Sequence, residues 1–373
     1  MDLTLSEEQR QIASSVEQLL ASASDSARMR RAAFESGGFD PALWAELREL
    51  GACGLHIPEA HGGLGLGVTE LVLVAESLGR RLACVPWLES VVLAGSTILA
   101  IGDEQVSARW LPSLASGEQL YTLDIGLLPA TPVVASREGA GWRLDGVLPA
   151  VPAAMAAHSL LLPVQDEGAR RLLAVALDAG GVTRRPRASY DATRPVAEVR
   201  LQGVQVPDAS CLARGDTADR ALEQGRCLAA VVLAAEQVGV AQQCLDLTVA
   251  YLGQRVQFEK PLATFQALKH RCAQMMVTVE LARSAVLGAA RAYDGPADEG
   301  RRFRVATMAR CLADDAAQYC TQEAIQLHGG VGFTWEFDPH LYFKRAQAAR
   351  SWLGSPGEWR ERLAAALLDE GAA

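Results

Sequence analysis

Arg255, Gln257 and Phe258 lie close together in the stretch QRVQFEKPLATFQALKH, just past one long helical pattern and ahead of a loop. Their chemistry suits a bound anion. A guanidinium presents a rigid fork of donors that matches a pyrophosphate. Farther along, Gln326 precedes Gly329 and Gly330, which close a second long helical pattern. Paired glycines let a ligand approach the backbone closely. Each motif alone also has a plainer reading: Arg255 can cap its helix and pair with a surface carboxylate, and the glycines can simply end theirs. On these residues alone both readings stay open.

The elements that would position these residues follow from periodicity and punctuation. The first hundred or so residues read as helices. Ser6 with Gln9 forms a capping-box pattern, and Asp40 before Pro41 gives an N-cap with proline at the first helical position. Leu43, Trp44, Leu47 and Leu50 then keep helical spacing up to Gly51. The segment IPEAHGGLGLGVTELVLVAESLGRRL is a glycine-rich loop leading into another helix. From about Tyr121 to Leu212 the pattern changes to short β-like runs, GWRLDG, HSLLLPV, RLLAVALDA and AEVRLQGVQVP, separated by glycine and proline. After Asp216 long amphipathic helical stretches return and point to a bundle with an oligomer interface. The expected organisation is an α+β chain: an N-terminal helical domain over 1–120, a middle β domain over 121–214, and a C-terminal helical domain over 215–373.

Composition narrows the partners. The chain has 373 residues, of which 50% are apolar and 21% charged, with a net charge of -9. A polyanion needs a concentrated basic surface, so neither nucleic acid nor an anionic membrane is an expected partner, and any bound phosphate must be met by local cations. The start, MDLTLSEEQRQ, is acidic and polar where a signal peptide would be basic and then apolar. The most apolar run, CLAAVVLAAEQVGV, is broken by Glu236 and Gln237, so no bilayer-spanning segment is expected. Cys53, Cys84, Cys211, Cys227, Cys244, Cys272, Cys311 and Cys320 show no metal-ligand spacing. A reduced, cytoplasmic protein without a metal is the plain expectation.

Order and spacing together resemble a family. YLGQRVQFEKPLATFQALKHRCAQMM followed by AIQLHGGVGFTWEFDPHLYFKRAQA is similar to the C-terminal domain of the acyl-CoA dehydrogenases. The likeness extends to the IPEAHGGLGLG region and to LQGVQVP, and so covers nearly the whole chain. It implies a middle β-barrel domain and a C-terminal four-helix bundle. It also implies α,β-dehydrogenation of an acyl-CoA substrate, in which a carboxylate takes the α proton and the β hydride passes to FAD. In that family each FAD lies between two subunits, its ring on the β domain of one and its adenine and pyrophosphate end on the C-terminal domain of the other. On that pattern Arg255, Gln257, Phe258, Phe265 and Gln266, with Gln326, Gly329 and Gly330, form the half-site that faces a neighbour.

The chain departs from the family in its other half-site. Thr-Glu-Pro and Gly-Ser-Asp triplets are absent from YTLDIGLLPATPVVASREG, and residues 150–152, Ala-Val-Pro, fall where Trp-Ile-Thr is expected. A flavin ring needs donors aimed at its edges, and alanine and proline side chains supply none; loop amides are the alternative source. The two family positions for a catalytic glutamate fall at residues 353–355, Leu-Gly-Ser, and at Ala229. No catalytic residue is therefore assigned, and losing the base costs about two to four orders of magnitude in rate. Glu236 and Glu358 read as surface or capping carboxylates. The resemblance thus implies the base-lacking subunit of a heteromeric (α2β2) enzyme of the bacterial steroid side-chain type. Such a chain would share FAD with a base-bearing second subunit and use electron-transfer flavoprotein as acceptor. The alternatives are a self-sufficient homotetramer using Glu236 or Glu358, and a flavin-free scaffold. Among smaller signals, His61, Gly62 and Gly63 read as a turn, in a loop that in the family shapes the acyl side of the pocket, and His270 and His328 read equally as pocket or helix-surface residues. Trp335 and Phe337 read as core and interface packing, and the arginines among residues 301–304 as a solvated face, with a CoA phosphate contact as the alternative.

Overall fold

The computed structural model describes residues 3–166 and 168–370. The chain divides into two compact units, one of residues 1–30, 67–83 and 230–373, the other of residues 31–66 and 84–229.

The first unit is helical. Helix α1 (Glu7–Ala23) starts at the expected capping box, with Ser6 Oγ accepting from Gln9 N at 3.1 Å and Gln9 Oε1 from Ser6 N at 3.0 Å. The second helix, α2 (Ser26–Phe34), straddles the end of the first segment, and α3 (Pro41–Glu49) belongs to the other unit. Helix α4 (Val68–Arg80) packs on α1. The 40-residue α7 (Gly215–Gln254) meets α4 through two glycines. A Cβ on Gly79 would lie 2.1 Å from the Glu236 carbonyl oxygen, and one on Gly239 only 2.0 Å from that of Glu76, so the helices can cross this closely only without side chains there. Helices α8 (Gln266–Asp294) and α9 (Glu299–His328) pack side by side, and α10 (Pro339–Ala349) and α11 (Pro356–Glu370) rest on α9.

Two buried ionic groups lie within this bundle. Arg345 Nη1 contacts Glu236 Oε1 at 2.8 Å, with side-chain exposures of 3% and 7%. Arg310, fully buried, donates to Gln237 and Asp314, and its Nη2 donates to the carbonyl oxygens of Ala349 at 2.7 Å and Trp352 at 3.4 Å. One expectation needs correcting. By length and composition α7 is apolar enough to cross a membrane despite Glu236 and Gln237, because those residues interrupt the sequence run without lowering its average enough. However, 83% of its most apolar window is buried inside the structure, so protein packing already covers that surface.

The second unit holds α3, α5 (Gly95–Ile101), α6 (Glu104–Ala115) and a π-helical segment Leu88–Ala94 leading into α5. Asp40 caps α3, accepting from Leu43 N at 2.9 Å, ahead of Pro41 as its sequence pattern requires. The rest is β structure in two four-stranded sheets. One runs β1 (Tyr121–Leu123), β4 (Ser159–Asp166), β5 (Ala169–Ala176), β8 (Cys211–Arg214); the other runs β2 (Val134–Glu138), β3 (Gly141–Pro152), β7 (Val196–Pro207), β6 (Val182–Arg187). The expected barrel thus takes the form of two sheets over one core. Alternating residues of both, among them Trp142, Leu144, Leu162, Val175, Val199 and Leu201, form a single buried cluster.

Candidate functional site

The arginine turn begins where α7 stops. Arg255 N still donates to Tyr251 O at 2.9 Å, and Arg255 O accepts from Leu262 N at 2.8 Å, so its backbone is held on both sides. Between them β9 (Val256–Gln257) and β10 (Lys260–Pro261) form a small antiparallel hairpin. Arg255 is exposed, and among the described residues its guanidinium has no hydrogen bond or ion pair. A helix-capping or carboxylate-paired role is therefore not what the fold gives it, and the whole fork of donors faces outward.

An aromatic trio joins this turn to the glycine turn. Tyr251 stacks on His328 with centroids 4.4 Å apart and planes at 21°, and both meet Phe337 edge-on at 6.0 and 6.1 Å. Tyr251 stands one helical turn before Arg255 and His328 immediately precedes Gly329, so the trio sets both motifs at one end of the unit. His328, which the sequence leaves open between a pocket and the helix surface, is buried. Its Nδ1 donates to Ala324 O at 2.7 Å, and burial lowers its pKa although that hydrogen bond opposes the shift. The outward-facing residue of that last turn is Gln326, whose carbonyl accepts from Gly329 N. Gly329 has φ 67 and ψ -146, a conformation that favours glycine, and a Cβ on Gly329 or Gly330 would meet nothing within 4 Å. Open space over a turn of this kind leaves the backbone accessible.

Flat surfaces flank the arginine. Phe258 is 81% exposed and packs edge-on against Phe265 at 6.1 Å, with Lys260 Nζ 4.4 Å above the Phe265 ring. Gln257 lies opposite Lys260 in the hairpin, and Gln266, at the start of α8, shares a 2.8 Å hydrogen bond with His270. The turn after Gly330 adds Phe333 and Trp335, which are 66% and 60% exposed. Of the core and interface packing expected of this segment, Trp335 is thus outside this chain's own core; it lies edge-on to His340, with Lys344 Nζ 5.4 Å above it. Outward cations, amides and aromatic faces suit a flat, anionic nucleotide.

The positions where a base was sought hold none. Leu353 is buried with φ 58, in the loop that Arg310 fastens through Ala349 and Trp352. Ser355 and Glu358 cap α11 reciprocally: Glu358 Oε2 accepts from Ser355 N at 2.6 Å, and Ser355 Oγ from Glu358 N at 3.2 Å. Ala229 is fully buried. Glu236, expected on a surface, is instead buried with Arg345 because α7 is covered around it.

In the other unit, the loop after Pro152 is closed on itself. Thr122 Oγ1 donates to Pro152 O at 2.6 Å, and Arg184 Nη1 donates to Ala154 O at 3.0 Å and Ala157 O at 3.1 Å. The amides of Ala153, Ala156 and Ala157 already donate to protein carbonyls, which leaves few donors in this one loop to replace lost side chains. Beside it lies a cavity of about 540 Å³, lined by residues 124–133 with Leu148, Ala150, Leu162 and Arg170. Its carboxyl, Asp124, has a pKa raised by burial despite a hydrogen bond from Gly126 N at 3.2 Å.

Family sequence models match on both sides of these sheets: the acyl-CoA dehydrogenase N-terminal domain over residues 6–118 and the acyl-CoA dehydrogenase C-terminal domain over residues 216–368. The acyl-CoA dehydrogenase IpdE2 of Mycolicibacterium smegmatis is 36% identical over 340 residues, which cover 91% of this chain and 92% of the relative. Among solved structures, a chain of the ChsE4-ChsE5 complex from Mycobacterium tuberculosis is 28% identical with a TM-score of 0.89, covering 99% of each chain. A chain of the Tcur3481-Tcur3483 steroid ACAD is 28% identical with a TM-score of 0.86, covering 99% of this chain and 100% of the other.

Proposed function

The chain belongs to the acyl-CoA dehydrogenase family, and on that premise we propose that it is the subunit of a heteromeric enzyme that completes a partner's FAD site without supplying a base. Members of the family bind FAD, which when bound accepts the hydride in α,β-dehydrogenation of an acyl-CoA. Arg255 and the turn at Gly329 and Gly330 would hold the diphosphate, Phe258 and Phe265 would flank the adenine, and Gln257, Gln266 and Gln326 would orient that end. These residues fit: the fork of Arg255 is unengaged among the described residues and a Cβ over the glycine turn would meet open space. The residues around Pro152 do not fit the ring end, because their amides are largely committed within the loop.

The observation that carries the reading is this contrast between an open nucleotide-holding edge and base positions filled by Leu353 and Ala229. A heteromeric assembly is further supported by the likeness to a chain of the ChsE4-ChsE5 complex, and by large exposed apolar side chains on α8 (Met276, Val277, Leu281) and α9 (Met308, Leu312). A bulky acyl group of steroid type is supported by the likeness to the Tcur3481-Tcur3483 steroid ACAD and by the small residues of the 150–157 loop. Electron-transfer flavoprotein is the acceptor in this reading, and the cytoplasm the location. A self-sufficient homotetramer is disfavoured because Glu236 is ion-paired and Glu358 caps a helix.

The test is the flavin content of the complex formed with a base-bearing acyl-CoA dehydrogenase subunit of the same genome. Arg255→Ala and Gln326→Ala are expected to lower FAD retention at least tenfold while leaving the fold intact, since both side chains are exposed. Unchanged FAD would favour the scaffold reading.

A further inference from the structure

The hairpin that follows Arg255 contains a strained residue that nothing among the described residues accounts for. Gln257 pairs with Lys260 and Val256 with Pro261, so Phe258 and Glu259 alone make the turn. Both are left-handed, with φ 54 and 65. Two-residue turns of this hand favour asparagine or aspartate followed by glycine, because side chains elsewhere crowd the backbone. A bulky or long residue there persists only when its surroundings hold it. Phe258 has such support in its contact with Phe265. Glu259 does not: residues 253–261 are all exposed, and Glu259 has no hydrogen bond or ion pair among the described residues.

Resting on the partner-completing reading above, we propose that Glu259 is a docking carboxylate that pairs with a cationic side chain of the FAD-bearing partner subunit. The adjacent arginine narrows the choice of occupant. Arg255 stands at the base of the short hairpin whose tip holds Glu259, so whatever carries the rest of the nucleotide held by Arg255 lies against the same hairpin. The diphosphate held by Arg255 is not the partner of Glu259, because phosphate and carboxylate repel. A lysine or arginine of the opposing subunit has the required charge, and closure of the interface strips water from a pair that would be weak in solvent. The turn would then trade stability of the lone chain for selection of its partner.

The experiment compares Glu259→Gly and Glu259→Gln with wild type, using the isolated chain and its complex with the base-bearing subunit. In the isolated chain Glu259→Gly, which relieves the backbone, is expected to raise the thermal midpoint by about 1–3 °C, and Glu259→Gln to leave it unchanged. In the complex both are expected to raise the dissociation constant about tenfold at low salt and to flatten its salt dependence. Wild-type affinity and salt dependence in both variants would overturn the proposal. If Arg255→Ala still loses FAD in that case, the partner-completing reading survives and only the docking role falls. A wild-type chain that binds no base-bearing subunit overturns both.

Discussion

Gly329 shows how much of the site lies in single residues. Its φ of 67 and ψ of -146 lie where a side chain is strained, yet a Cβ there would meet no atom within 4 Å. Gly329→Ala is therefore expected to destabilise the isolated chain by about 1–3 kcal/mol through backbone strain alone, measured by urea unfolding. An unchanged midpoint would mean that the turn relaxes. Sequence was a good guide to where this residue and Arg255 fall, because a glycine pair closing a helix and an arginine after one are local signals. It left open which way His328 and Trp335 face. Whether an aromatic faces inward depends on where Tyr251 and Phe337 arrive from distant parts of the chain, and no periodicity in their own segments records that.

Glu236 belongs to the scale of elements. In sequence it interrupts an apolar helix and reads as a solvent-facing charge; in the fold α7 is packed around it and Arg345 reaches it from α10 at 2.8 Å. Glu236→Gln is expected to cost about 3–5 kcal/mol in urea unfolding, because it removes the Glu236 countercharge from the buried Arg345 guanidinium. A Gln variant of wild-type stability that nonetheless abolished turnover in the complex would instead make Glu236 the base. The strands show the same limit. GWRLDG, HSLLLPV, RLLAVALDA and AEVRLQGVQVP lie on β3, β4, β5 and β7, which carry the alternating core, whereas β6 escaped notice because Arg184, Arg185, Pro186 and Arg187 form an edge with little to bury.

At the scale of the molecule, the helical, sheet and helical order was visible in the chain because period and punctuation change near Tyr121 and again near Asp216. The proposed asymmetry of the site rests on residues whose side chains cannot donate or accept: Ala150, Pro152, Ala229 and Leu353. What could not be read was the strain in the hairpin and the commitment of loop amides, both properties of backbone geometry. The claim that this chain completes another subunit's site is tested most directly by measuring bound FAD and acyl-CoA-dependent dye reduction for the chain alone and for its complex with the base-bearing subunit. The expected result is a colourless, inactive chain and a yellow, active complex. A solitary chain that binds stoichiometric FAD and turns over acyl-CoA at the rate of the complex would contradict it.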